Sequence, residues 1–490
     1  MKNVKSISVV GAGTAGLIAA LILKERSSLK VNLIYSSNIE IIGVGEGSTE
    51  HFAIFMDFLG IKPSEIIKEC DATFKKGVMF DGWKKNNKYL HSPFFPFSKT
   101  FGQYSSVYAK QISENSNYRY SKNIEKNLIE EEILNIDTNK NFSINQYHFN
   151  TFKLNEFLKN LAIKKGIKIF DDKIVEVMLD NNGYIENLIG EKINYKSDFY
   201  IDATGFKRIL MNKLDCKWKS FNNYLKLNSA ITFQTPDEEN YNAWTLAKAM
   251  DSGWRFKIPV WGRHGNGYIY DNNFITADKA KLEVEKDLGY EIEIGKTFNF
   301  DPGTLEDVWI KNCVAIGLSG SFFEPMEATS IGLSIQQSFL LMHRIANYDE
   351  KVIKEYNISF NSIIENIRDF IVLHYLTKRN DTDFWKNILK TKIPESLEYN
   401  LEKWKTKLPI HEDFKNISTY SMFFSSNFIL VMAGLDLFDK KEILKEYNFL
   451  SNNLKNIDNL EINGQLEIDN TYRTMTHKKM IELIRNSNYA

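Results

Sequence analysis

The sequence predicts an α/β protein: a helix-covered parallel sheet as its core, a β-rich middle and a helical last third. Three observations carry this. Ser6-Ile7-Ser8-Val9-Val10 reads as a short strand, Gly11-Ala12-Gly13-Thr14-Ala15-Gly16 as a turn, and the Ala/Leu-rich residues after it as a helix. Further short apolar runs, at Lys30–Tyr35, Asp198–Gly205 and Cys313–Leu318, lie far apart in the chain, as strands of one sheet joined by long crossovers would. Finally, strand patterns dominate from about 222 to 300, and helical spacing with charged faces dominates from about 345 to 490.

The order strand, Gly-x-Gly-x-x-Gly, helix is the context of a dinucleotide site. Gly11 makes the tight turn, Gly13 lets backbone approach a pyrophosphate, and Gly16 lets the helix pack on the strand. A signal peptide or membrane anchor is the plain alternative for the apolar residues 6–23; the glycine spacing, Lys24-Glu25-Arg26 and the second strand argue against it. That strand, Lys30–Tyr35, ends at Tyr35-Ser36, where an acid for the adenosine ribose is expected. Ile42-Gly43-Val44-Gly45-Glu46-Gly47-Ser48-Thr49 is too glycine-rich for a helix and suits close approach to a ligand.

An amphipathic helix is expected over 51–59 with Gly60 as its stop, then one strand over Asp71–Phe80. Residues 84–145, aromatic and irregular, read as an insertion covering a site. Phe152–Lys165 has helical spacing ended by Gly166, and short strands follow around an Asn181-Asn182-Gly183 turn. A long helix is expected from about Gly332. There is no internal repeat or low-complexity linker. The nucleotide-binding fold is thus expected in pieces, about 1–80, 150–210 and 300–345, with insertions at about 81–149 and 211–299. Residues 346–490 form a mostly helical covering part.

Composition narrows the function. Lys+Arg 62 against Asp+Glu 62 leaves no net charge, hence no global field for nucleic acid or anionic lipid. Cys70, Cys216 and Cys313 are far apart and fit a reducing compartment rather than a disulfide framework or zinc site. The 8 histidines are scattered, so no metal is expected. Past residue 23 the apolar runs are too short to span a bilayer, so a soluble, cytoplasmic protein is expected.

Several stretches together resemble the flavin-dependent halogenases of the tryptophan-halogenase family. They are Gly11–Gly16, Ile42–Glu46, Ala72-Thr73-Phe74-Lys75, Tyr147-His148-Phe149-Asn150, Asp202-Ala203-Thr204-Gly205-Phe206, Gly253–Pro259, Asn312–Leu318 and Phe323-Glu324-Pro325-Met326-Glu327-Ala328-Thr329, in family order. The resemblance implies a Rossmann-like, flavin-monooxygenase-type FAD fold over 1–345, with the cofactor against Gly11, Gly13, Thr14, Ala15, Gly16, Gly43, Val44, Gly45, Glu46, Asp202 and Gly317. It also implies an activity: reduced FAD and oxygen oxidise a bound halide, chloride or bromide among others, to hypohalous acid. The acid passes through a tunnel to an electron-rich aromatic, indole-like or phenolic. A separate flavin reductase supplies the reduced FAD. A homo-oligomer is compatible with the sequence, and neither nucleic acid nor membrane is expected as a partner.

By the same resemblance Lys75 is the essential lysine. Hypohalous acid is diffusible and unselective, so a donor beside the substrate must hold it, either as an ammonium or, with a burial-lowered pKa, as an amine forming a haloamine. An ordinary surface lysine is the alternative, which the apolar flanks Phe74 and Val78 oppose. Glu327 matches the glutamate that stabilises positive charge on the attacked ring and accepts its proton; a helix N-terminal acid is the structural alternative. Thr329 and Ser330 match the halide-cradling amides. Ser330 replaces a family glycine and carries a steric cost if φ there is positive. Trp254 and Phe256 stand where the family has Trp-x-Trp, a wall between substrate and flavin, with plain aromatic core packing as the alternative. Phe95, Pro96 and Phe97 match the substrate lining, and Phe95 replaces a histidine; His91 is nearby but out of register. The competing activity is a single-component flavin monooxygenase that hydroxylates an aromatic with NAD(P)H. A flavin-binding scaffold without turnover is a third reading.

Overall fold

A computed structural model describes residues 2–39, 46–84, 87–92, 109–110, 112, 126–137, 144–453, 455–456 and 473–487. The opening unit is Ser6–Val10 (β1), Thr14–Arg26 (α1) and Lys30–Tyr35 (β2). There follow Glu46–Gly47 (β3), His51–Leu59 (α2), Thr73–Lys75 (β4), Val78–Lys84 (β5), Asn87–His91 (β6), Leu128–Glu130 (β7), Gln146–Phe149 (β8), Thr151–Lys164 (α3) and Lys168–Asp171 (β9). Then come Phe199–Asp202 (β10), Ser229–Pro236 (β11), Thr245–Ala249 (β12), Gly253–Val260 (β13), Arg263–Tyr270 (β14), Ile294–Asn299 (β15), Trp309–Ile310 (β16) and Cys313–Ala315 (β17). The last elements needed are Thr329–Met342 (α4), Glu350–His374 (α5), Ser425–Gly434 (α6), Thr474–Thr476 (β18) and His477–Asn486 (α7).

The nucleotide-type sheet is six-stranded, in the order β9-β2-β1-β10-β17-β16, and all but the β16 edge pair are parallel. Its strands come from residues 6–35, 168–202 and 309–315. Every residue of α1 from Leu17 to Leu23 is fully buried, because the sheet, α3 and α4 pack around it. A surface helix would show a polar stripe; one enclosed on all sides reads as a membrane-like run. Among the described residues no helix is long and apolar enough to cross a membrane.

The middle of the chain forms a seven-stranded sheet, β15-β11-β14-β13-β12-β5-β6, antiparallel except for β12 beside β5. A third, small sheet, β3-β8-β4, lies between the two large ones in the chain's logic: it joins the glycine-rich loop to the lysine segment.

Two expectations are corrected. Residues 71–80 are not one strand: they split into β4 and β5, which belong to different sheets. The break is Gly77, whose φ of +138° and close approach to the His91 carbonyl, 2.4 Å from where a Cβ would sit, admit no side chain. The long helix begins at Thr329, not Gly332, since the residues before it form a tight turn that already starts the coil.

Candidate active site

The glycine turn is built as its spacing demands. A Cβ on Gly11 (φ +109°) would lie 2.2 Å from the Ala203 carbonyl oxygen, and one on Gly16 would lie 2.0 Å from that of Gly11. At Gly13 a Cβ would meet nothing within 4 Å, so open space faces the N-terminus of α1, where unpaired amides favour phosphate. Thr14 donates to Asn155 Oδ1 at 2.7 Å, and Gly317 (φ +67°) comes so close to Ala15 that a Cβ would sit 2.5 Å from it. This donor set and open cradle fit the pyrophosphate of FAD. Asp202 follows the turn on the neighbouring strand. It is wholly buried and accepts from Thr204 N and Oγ1, Leu210 N, Met211 N and Ser319 Oγ, so it pins the loops beside the turn. At the end of β2 the Lys159 ammonium lies 4.0 Å over the Tyr35 ring and donates to its hydroxyl. Gly43, Val44 and Gly45 lie outside the described residues, and Glu46 opens β3 opposite Phe149.

Lys75 ends β4, Lys76 lies just past it, and the two are both buried against different partners. Lys76 is ion-paired with Glu130 at 2.8 Å. Lys75 instead lines a cavity of about 200 Å³ and donates to the Ser48 carbonyl at 2.7 Å. Burial lowers its pKa to about 8, against the attraction of Glu327 and Glu50. At neutral pH it is an ammonium close to its titration point. Gly47, also on the cavity wall, lies against the lysine stem: a Cβ there would sit 3.4 Å from its Cδ, in van der Waals contact.

Glu327 lines the same cavity. It sits on a strained turn: Glu327 has φ 61°, ψ 10° and Ala328 φ 54°, ψ 41°, consecutive left-handed residues that are not glycine. The positive φ thus falls at 327 and 328 rather than at Ser330, which is helical and carries no steric cost. Ala328→Gly should therefore relieve strain and raise stability by ~1 kcal/mol, read as a higher denaturation midpoint. Burial acts to raise the Glu327 pKa, but His91 and His374 overcome it and hold it at about 2. His374 Nε2 lies 3.2 Å from Oε1. His91 Nδ1 lies 2.8 Å from the same oxygen, at an angle too bent for a good hydrogen bond. Both imidazoles meet Oε1 and leave Oε2 clear.

Thr329 and Ser330 open α4 on the cavity wall, where first-turn amides have no helical partner. Trp254 and Phe256 lie on β13 and line the cavity too. Trp254 is held by a second buried carboxylate, Glu324, which accepts from its indole N–H at 2.7 Å and from the Tyr375 hydroxyl at 2.5 Å. Burial raises the Glu324 pKa to about 7 despite these donors. Glu324→Ala would orphan both, at ~1–3 kcal/mol each, and free the indole; the measured outcome should be lower stability with altered tryptophan fluorescence. Phe95, Pro96 and Phe97 lie outside the described residues.

The structure therefore brings Lys75, Glu327, Trp254, Phe256, Gly317, Thr329 and Ser330 to one cavity, from strands and turns up to 255 residues apart. Sequence reasoning missed His91, His374 and Glu324. Glu324 lies inside a motif that was read for Glu327 alone. His91 ends a strand four residues before Phe95, the position of the family histidine, and His374 sits in a charged helix with no motif around it.

Comparisons with known proteins identify the family. A profile described as tryptophan halogenase matches residues 6–445. Tryptophan 6-halogenase SttH of Streptomyces toxytricini is 30% identical over 462 residues, covering 86% of this chain and 87% of its own. Tryptophan 7-halogenase RebH of Lentzea aerocolonigenes is 27% identical, covering 89% of this chain and 90% of its own. The crystal structure of SttH superposes with a TM-score of 0.83 at 26% identity, over 98% of this chain and 100% of that one. A Shewanella frigidimarina tryptophan halogenase shares the fold with a TM-score of 0.85 at 23% identity, over 100% of this chain and 99% of that one. The chain belongs to the tryptophan halogenase family of flavin-dependent enzymes.

Proposed function

We propose that this enzyme halogenates an electron-rich aromatic, indole-like or phenolic, with reduced FAD delivered by a separate flavin reductase. The single observation that supports it most is the convergence of one buried lysine and one buried carboxylate on a cavity walled by Trp254 and Phe256. Bound reduced FAD, with oxygen and halide, supplies hypohalous acid. Gly11, Gly13, Thr14, Ala15 and Gly16 hold the cofactor, and the amides of Thr329 and Ser330 hold the halide.

Lys75 N–H binds the oxidant and polarises it toward the ring. Its single aliphatic stem, fixed by Ser48, sets which ring carbon is nearest. As the halogen–carbon bond forms, positive charge grows on the ring. Glu327, ionised throughout the working pH range, stabilises that charge and takes the departing proton. A carboxylate this weakly basic suffices, because a ring cation is a strong acid. Trp254 and Phe256 keep the substrate from the cofactor side, and residues 346–490 cover the substrate.

The test is product mass spectrometry with reductase-supplied FAD, oxygen and competing chloride, bromide and iodide over a panel of indoles and phenols. A halogenated product is expected. Unaided NADPH oxidation with a hydroxylated product would overturn the reading.

A further inference from the structure

Glu327's two imidazole neighbours are wired differently. Asn427 Oδ1 accepts from Phe424 N–H at 2.9 Å, which turns its NH₂ toward His91 Nε2, 3.2 Å away. An NH₂ group only donates, so Nε2 of His91 accepts and its neutral ring carries hydrogen on Nδ1. That is the atom facing Glu327, and the contact needs no extra proton.

His374 is the reverse. Its Nδ1 lies 2.8 Å from the Phe370 carbonyl, which only accepts, so Nδ1 carries a hydrogen. A neutral His374 would then turn a bare Nε2 lone pair on Glu327 Oε1 at 3.2 Å, two acceptors face to face in a buried site. One proton must lie between them. Its place is set by what surrounds each partner. The Phe80 and Phe370 rings pack against His374 with centroids 4.7 Å and 4.9 Å away, one tilted and one edge-on, and offer it no competing charge. Glu327 faces His91 and feels Lys75, both of which favour a carboxylate.

We propose that His374 is an imidazolium in the resting enzyme, a positioning residue whose Nε2–H fixes Glu327 through Oε1 and leaves Oε2 for the substrate. This rests on Glu327 serving the reacting ring, as proposed above. The consequence is asymmetry: His91 is a neutral prop, while His374 supplies the counter-charge that lets a carboxylate stay ionised without water.

The experiment is ¹⁵N-imidazole NMR at pH 7, tractable with only 8 histidines, with His374 assigned by difference against His374→Gln. Two protonated nitrogens are expected at His374 and one bare nitrogen at His91. Glu327→Gln should return His374 to one bare nitrogen, and it serves as the reference if His374→Gln does not fold. One bare nitrogen at His374 in the wild type overturns the proposal. In steady state, His374→Gln should lower kcat ~10–100-fold with KM and FAD affinity unchanged; an unchanged kcat beside a confirmed imidazolium also overturns the positioning role. If Glu327→Gln halogenates normally while the spectrum holds, the reading of Glu327 fails and the protonation of His374 stands.

Discussion

Lys75→Met will bind FAD normally, yield at least ~100-fold less halogenated product, and melt no lower than the wild type. Activity falls because the only buried ammonium on the cavity wall among the described residues is gone. Stability behaves otherwise. The Lys75 pKa, taken from 10.5 down to about 8, means that folding costs roughly 3 kcal/mol while the amine is charged. Methionine removes that cost and leaves the Ser48 carbonyl without its donor, a loss of about 1 kcal/mol. The sign with pH follows. Below pH 8 the lysine is protonated folded and unfolded, and the full cost is present. Between pH 8 and 10.5 only the unfolded chain holds the proton, so the wild type gains stability as pH rises. Lys75→Met lacks this gain. Denaturation midpoints of both proteins at pH 7 and 10 measure it.

Glu327→Gln will lower kcat for halogenation by ~10²–10³ while cofactor oxidation keeps its rate. The amide keeps shape and loses charge, so the loss measures what the carboxylate does for the ring cation. Because two imidazoles hold its pKa near 2, the wild-type carboxylate is ionised well into the acid range. Its stabilising contribution is complete above pH 4.5 and is lost only as pH falls toward 2. Stopped-flow cofactor oxidation beside product quantification separates the two rates; equal slowing of both would contradict the role.

The sheet and the glycine turn were legible because they are local: alternation, glycine spacing and helical spacing each fit within a short window. Lys75 and Glu327 were legible through flanking motifs. The split at Gly77 was not, since strand periodicity continues through it and only the approach of the His91 carbonyl forbids a straight strand. His374 was invisible for a related reason. A histidine 47 residues past its carboxylate, inside a long amphipathic helix, carries no local mark of what it faces. Asp202 was singled out by its motif, but the five donors that make it a brace carry no local sequence mark.

The lysine strand also leans on a distant part of the chain. The Phe74 amide donates to His477 Nε2 at 3.0 Å, a bond across 403 positions, with the two rings stacked and β18 paired to β7. During synthesis, then, the nucleotide sheet has all its strands long before the ribosome releases the residue that completes the reactive edge. The edge that carries Lys75 is thus closed by a contact from residue 477, whereas the nucleotide sheet needs no strand past Ala315, so the two halves of the site depend on segments of the chain made at different times.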